Sequence, residues 1–314
     1  MRTFAIVAVV EGAAPELFEW LAFHRAVGVR HFVIYDNGLD GEAAAFLKAQ
    51  AAIGVTTLPC PTRVDRTPLF AAYDHFLASW ARLFRFAAFL GTDEFLVPAP
   101  GRSIEDWIAR IPPHAGAVVV NRRVFDTAAP EGPASGLVLR RFPRSLAQAD
   151  HAENRVVTSI YRQGAITTIA DPHMMELVRG ERLMSDFGPA EPDPQQPGAI
   201  LAVRHGEIRL NHYPRPVPGA PPPETRAETE PCTRTASWVR PTLDEMRHLL
   251  AYVESVAPSE AARLRARSAA VPELAQPVAP REHRLWRLRH LHRPRVEAAG
   301  RFVRRKIFGA PRPW

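Results

Sequence analysis

The segment Gly91-Thr92-Asp93-Glu94-Phe95-Leu96-Val97-Pro98 puts two adjacent carboxylates directly after the apolar, aromatic run Phe84-Arg85-Phe86-Ala87-Ala88-Phe89-Leu90. A buried strand that ends abruptly in acid presents charge at the rim of an α/β sheet. Ligands of open α/β sheets bind there, outside the carboxyl ends of the strands. Carboxylates at such a rim suit a hard divalent cation, and a hard cation suits a phosphate-bearing substrate. The other reading of this octapeptide is a strand followed by an ordinary acidic turn, since short motifs also match by chance. A second acid stands in Tyr35-Asp36-Asn37-Gly38-Leu39-Asp40. Asp36 can hydrogen-bond a base or ribose at the sheet edge. It can equally close an Asx turn, which asks only for a short polar side chain.

Placing these acids on one rim takes a repeated strand–helix pattern. Residues 4–10 are a continuous apolar run of strand length. Residues 14–27 carry Leu17, Trp20, Leu21, Phe23 and His24 at helical spacing, opened by Pro15 and stopped at Gly28. Residues 31–35 form a second buried strand, closed by the turn signal Asp36-Asn37-Gly38. A helix over 42–52, a short strand over 55–58 and a longer helix over 69–84 lead into the run before Gly91. Such alternation predicts a mostly parallel sheet with helices on its faces. Further along, the pattern predicts a helix over 103–111 capped by Ser103, strands over 117–120 and 136–141, and weaker strands over 160–161 and 166–169. Residues 186–198 read as a loop, and 200–204 with 207–211 as a hairpin about His205-Gly206. The proline-dense stretch 214–224 excludes regular structure. Helices over 242–256 and 260–268, a linker over 272–280 and a basic helical segment over 281–308 complete the chain.

Composition narrows the function classes. Apolar residues make up 46% of 314, enough for a substantial core. The net charge of +7 is unevenly spread: residues 281–314 hold eleven Arg or Lys and two Glu, a net of +9, which leaves −2 for residues 1–280. A near-neutral body argues against a nucleic-acid-binding protein. Cys60 and Cys232, far apart, offer neither a metal spacing nor a disulfide framework, and read as reduced thiols in a cytoplasmic protein. The N-terminal run meets Glu11 without a small-residue cleavage pattern, so it reads as a first strand and not a signal peptide. No segment has the length of a bilayer span. Arg interleaved with Leu285, Trp286, Leu288 and Leu291 makes 281–308 a candidate for an anionic membrane surface, peripheral on its inner face. A solvated helix is the competing reading.

Glu19-Trp20, His24, Gly28-Val29, Tyr35-Asp36-Asn37 and Asp40 together resemble the opening of the family-2-like glycosyltransferases and the related glycosyltransferase family 92. Trp80 and Asp93-Glu94-Phe95-Leu96-Val97-Pro98 resemble that group's aspartate-rich strand end. Weaker blocks follow in order at Asn121 to Phe125, Ile160-Tyr161-Arg162, His173 and Asn211-His212-Tyr213, so the resemblance covers roughly 3–213. It implies a GT-A fold, a Rossmann-related, mostly parallel mixed sheet flanked by helices, over 1–235. A helical segment over 236–271 and a proline linker with basic tail over 272–314 then follow.

The resemblance also implies an activity: transfer of a sugar from a nucleotide-sugar donor, expected to be a UDP-sugar, to a glycan or glycolipid acceptor, assisted by Mn²⁺ or Mg²⁺. Asp36, with Glu11, Asn37 and Asp40 near it, would face the nucleotide. Asp93 would face the metal, with Glu94 beside it, and His212 and then His173 would complete the metal site. The base an inverting transfer needs is sought among Asp126 and Asp171. One departure stands out: the group shows Asp-X-Asp-Glu-Phe where this chain has Gly91-Thr92-Asp93-Glu94-Phe95. The proline-rich stretch after Asn211-His212-Tyr213 is a second. The alternative is therefore a catalytically weakened GT-A scaffold that binds nucleotide or glycan, or a partner transferase.

Overall fold

The computed structural model describes residues 1–314 except 129, 134, 135, 168, 170, 216–227 and 292–314. The apolar run at the N-terminus forms β1 (Arg2–Gly12), buried through its centre. It is followed by α1 (Leu17–Ala26), β2 (Phe32–Leu39), α2 (Gly41–Ala49), β3 (Val55–Pro59), α3 (Pro68–Ser79) and β4 (Phe84–Phe89). β2 and β4 flank β1, and β3 lies outside β2, all parallel. This is the doubly covered α/β half that the alternation predicts. Parallel strands buried on both faces require apolar runs, which β1, β2 and β4 have, while the outer β3 is only partly buried.

The second half is mixed. β5 (Glu94–Pro98), α4 (Ile104–Ala109), β6 (Ala115–Val124), α5 (Val138–Arg141), β7 (Arg144–Leu146), α6 (Ala152–Arg155), β8 (Val157–Arg162), β9 (Glu181–Leu183), β10 (Ile208–His212) and β11 (Thr229–Pro231) follow. The main sheet runs β3-β2-β1-β4-β8-β6-β10-β5, with β9 beside β6. β8 is antiparallel to both neighbours. The long β6 pairs through Ala117 to Asn121 with β8 and through Arg122 to Val124 with β10. β5 closes the edge antiparallel to β10, with His212 opposite Glu94.

Three segments depart from the sequence expectation. Residues 136–141 are not a strand: Val138 and Leu139 open α5, and their N–H groups donate to the buried Glu19 carboxylate at 2.6 and 3.1 Å. Residues 166–169 form no strand among the described positions, although Ile166 and Ile169 are buried. Residues 200–204 do not pair with 207–211; Ile200 instead bridges Pro192. Most of the proline-dense stretch, and the tail beyond Leu291, lie outside the described residues.

The C-terminal helices α7 (Thr233–Ala236), α8 (Val239–Val256), α9 (Pro258–Arg267) and α10 (Pro280–His290) share the main core. α8 covers α1, which is why α1 is buried on nearly every side. Between them Arg25 donates to the Ile53 carbonyl and lies 3.4 Å from Glu245. The indole of Trp286 donates to the same Glu245 at 2.9 Å. The expected linker 272–280 contains a 3-10 turn at Pro272–Ala275 with Leu274 buried, so it packs on the core as it leads into α10.

α1 also grips β5. Trp20 Nε1 donates to the Glu94 carbonyl at 2.8 Å. His24 Nδ1 lies 2.9 Å from the Trp20 carbonyl, while its Nε2 accepts from the Leu96 N–H at 3.2 Å. Only the neutral imidazole protonated at Nδ1 makes both bonds. Burial accordingly depresses the His24 pKa from 6.5 to about 3. As pH falls from 6.5 towards 3, the unfolded chain takes up a proton that the folded chain refuses, so stability drops with acid. Each pH unit in that window is expected to cost up to about 1.4 kcal/mol. Urea denaturation across the window should show a shallower acid decline for His24→Gln than for wild type.

Candidate functional site

The carboxyl ends of β1, β2 and β4 converge with the start of β5 and the end of β10 on one rim. The turn from Gly91 to Glu94, closed by the Glu94 N–H to the Gly91 carbonyl at 3.2 Å, projects from it. Glu94 is turned inward. One carboxylate oxygen accepts from the Gly91 N–H at 3.0 Å and the other from Arg122 at 2.8 Å. It is a brace for the turn. Asp93 is left as the acid that reaches the adjoining cleft.

That cleft has a volume of about 320 Å³. Glu11 and Asn37 form one wall, Thr92, Asp93 and Arg215 another, and Thr67 to Leu69 at the start of α3 a third. Thr67, at the N-cap of α3, makes no capping hydrogen bond through its own side chain. His212 Nε2 stands 3.7 Å from Asp93 Oδ2. Burial opposes ionisation of Asp93, but His212 and the nearby Arg215 guanidinium outweigh it and hold the carboxyl below its ordinary value. Arg215 reaches back from the loop after β10, donates to Thr92 Oγ1 and lies 3.4 Å from Glu16. Asn37 donates to Glu11 at 3.0 Å, which joins the ends of β1 and β2.

Of the residues singled out by sequence, Asp93, His212, Glu11 and Asn37 meet at this rim. Asp36 belongs to the same strand end, but its carboxylate accepts from the Gly38 and Leu39 N–H groups, the Asx-turn role. Asp40 caps α2 through the Ala43 N–H at 2.8 Å. Asp126, just past β6, accepts from the Ala128 N–H. Asp171 accepts from the His173 N–H at 2.7 Å. His173 sits 3.5 Å from Arg122, the partner of Glu94, and burial together with the Arg122 charge holds its pKa below the ordinary histidine value. Neither His173 nor the two candidate bases line the cleft itself. Glu19, Trp20 and His24 prove to be structural: they hold α5 and β5.

Arg215 and Thr92 were not singled out from sequence. The available signal was a cation three residues after His212, where the chain leaves β10 at the rim.

Among the described residues no three His, Cys, Asp or Glu side chains gather to cage an ion. Asp93 and His212 form a two-donor wall. Mg²⁺ characteristically uses one or two protein carboxylates with water and substrate phosphate, and imidazole with carboxylate suits Mn²⁺. The pair thus fits a cation that arrives with a phosphate-bearing ligand, not one held by protein alone.

No family model and no curated protein sequence matches the chain. Among solved structures it is similar to the crystal structure of S. aureus TarS 1–349, with a TM-score of 0.36 and 10% identity over 85% of this chain and 70% of that one.

Gly91 has a steric role that its sequence position conceals. A Cβ there would lie 2.3 Å from Asp93 Oδ1. The Asp93 carboxylate folds over the glycine, into the space a side chain at 91 would take. Gly91→Ala is expected to rotate Asp93 away from His212. Because the obstructing atom ends a rotatable side chain, the expected stability change is small, about 1 kcal/mol or less. A crystal structure and a melting curve of the variant check both points.

Proposed function

We propose that the chain is a glycosyltransferase that moves a sugar from a nucleotide-sugar donor, a UDP-sugar first among candidates, to a hydroxyl of a glycan or glycolipid. The observation that carries the reading is the cleft at the convergent strand ends, where Asp93 faces His212 on one side and Arg215 reaches in beside it. This is where an open α/β sheet binds ligands, and its groups suit a diphosphate. Asn37 and Glu11, on the β1–β2 side, are assigned to the nucleoside, with Asp36 holding the loop that presents Asn37. Asp93 and His212 would hold a Mn²⁺ or Mg²⁺ together with the donor's phosphates, His173 standing behind them. Such a cation acts as a Lewis acid for the charge that develops on the leaving diphosphate.

The protein's own contribution is positional. Glu94 and Arg122 fix the turn, Trp20 fixes its distal strand, and Asp93 stays ionised beside the phosphates. Deprotonation of the acceptor hydroxyl is assigned to Asp126 or Asp171. Both need to exchange a backbone hydrogen bond for the acceptor. Asp93→Ala is expected to lower sugar transfer or donor hydrolysis by about 10²-fold or more. The assay is nucleotide-sugar turnover with mixed divalent ions. Unchanged turnover would remove Asp93 from the chemistry.

A second reading has its own observation. Gly91 in place of an acid and the two-donor wall favour a scaffold that binds nucleotide or glycan, or a partner transferase, with little turnover. Nucleotide binding without hydrolysis or transfer across a panel of donors would select it.

The membrane surface is proposed as a further partner. Leu285 and Leu288 on α10, and Leu291 just past its end, are exposed away from the buried Trp286, amid Arg281, Arg284 and Arg289. Arg attracts anionic headgroups while Leu enters the interface. The full chain is expected to sediment with vesicles containing phosphatidylserine but not with pure phosphatidylcholine vesicles. Added salt and Leu288→Glu should each weaken this sedimentation.

A further inference from the structure

The cleft poses an electrostatic problem for the ligand proposed above. Glu11 and Asp93 both line it, and a diphosphate brings further negative charge. Among the described lining residues Arg215 is the only cation. Its side chain is 47% exposed. Its Nη2 donates to Thr92 Oγ1, and its Nε is within ion-pair distance of Glu16 Oε1. A guanidinium carries five N–H donors in a rigid fork that matches two phosphate oxygens at once. The contacts to Thr92 and Glu16 hold that fork at the mouth of the cleft without burying it.

Gly91 makes the same point from the other side. The turn carries one fewer carboxylate than an Asp-X-Asp sequence, and the Asp93 carboxylate occupies the space a side chain at 91 would need. The turn therefore offers a reduced set of cation ligands and a smaller repulsion to phosphate. An arginine set beside such a turn supplies positive charge that needs no metal to be present.

We propose that Arg215 is the diphosphate-binding residue of this cleft, and that it holds a nucleoside diphosphate in the absence of any divalent ion. The proposal rests on the donor reading above and adds to it which group carries the binding energy. Arg215 acts by gripping the phosphates directly, through charge-assisted hydrogen bonds. The cation assigned to Asp93 and His212 adds to this grip and does not create it.

The test is isothermal titration of the full chain with inorganic pyrophosphate and with UDP, first in EDTA and then in Mn²⁺. Wild type, Arg215→Ala and Arg215→Lys are compared, with circular dichroism to confirm an unchanged fold. In EDTA the wild type is expected to bind both probes. Arg215→Ala should weaken them by about 10- to 100-fold, the worth of hydrogen bonds to a charged group. Arg215→Lys should fall between, since it keeps the charge but loses the fork. Equal affinities for wild type and Arg215→Ala overturn the proposal, as does wild-type binding that appears only with Mn²⁺. Either result leaves the donor reading intact. If wild type in Mn²⁺ binds neither pyrophosphate nor UDP, GDP or ADP, the donor reading itself falls and this proposal falls with it.

Discussion

The grip of α1 on β5 is the constraint on which the site depends. Among the described residues β5 is an edge strand paired with β10 alone, and edge strands slip unless something other than the sheet holds them. Trp20 and His24, one helical turn apart, bond to a backbone carbonyl and a backbone N–H two residues apart on that strand. A one-residue slip would break both bonds and reverse which side chains face the core. With the register fixed, His212 lies opposite Glu94, and Asp93 comes within 3.7 Å of the imidazole. The helix never touches the cleft, yet it decides which acid is presented there.

Adjacent carboxylates on one turn have opposite duties because their surroundings differ. Glu94 is buried and fully engaged by Arg122 and a backbone N–H. Asp93 is partly open and faces a histidine and an arginine. A similar division recurs deeper in the core. Glu19 spends its carboxylate on the first turn of α5, where burial pushes its pKa up to about 7 against the pull of two N–H donors. Among the described residues the acids legible in sequence thus separate into braces, caps and groups that line the cleft, Asp93 and Glu11. Burial and backbone donors make that separation, and neither is visible as a motif.

The strand–helix alternation was legible over the first 95 residues because parallel strands need uninterrupted apolar runs, and their connections need amphipathic helices. Ser103 as the cap of α4 and the Asx role of Asp36 followed from local chemistry alone, although β2 runs on through Leu39 where the turn signal predicted its end. Legibility failed where tertiary contacts overrode local preference. Residues 136–141 hold the apolar run Leu137-Val138-Leu139 that suggests a strand, but Glu19, more than a hundred residues earlier in the chain, accepts from the first N–H groups of α5 and makes Val138–Arg141 a helix. The 200–204 run has strand composition but finds Pro192 instead of a hairpin partner. At the site, Asp93 and His212 were found by residue type. Arg215 was missed because a lone arginine in a loop has no spacing to announce it. Asp36 and Asp40 were found in the right place, but their carboxylates serve the backbone.

The carboxylate of Glu245 has a wider reach than its position on α8 suggests. It is shared between Arg25 of α1 and the indole of Trp286 on α10, with His290 beyond. Arg25 follows His24 directly, so the C-terminal helix is tied, through a single acid, to the helix that registers the edge strand. Trimming the protein before α10, a natural step in preparing it for crystallisation, would take the indole donor from Glu245 and uncover the Arg25–Glu245 pair one residue from that grip. α10 is for this reason part of the machinery's frame, and versions that lack it are poor stand-ins for the whole protein.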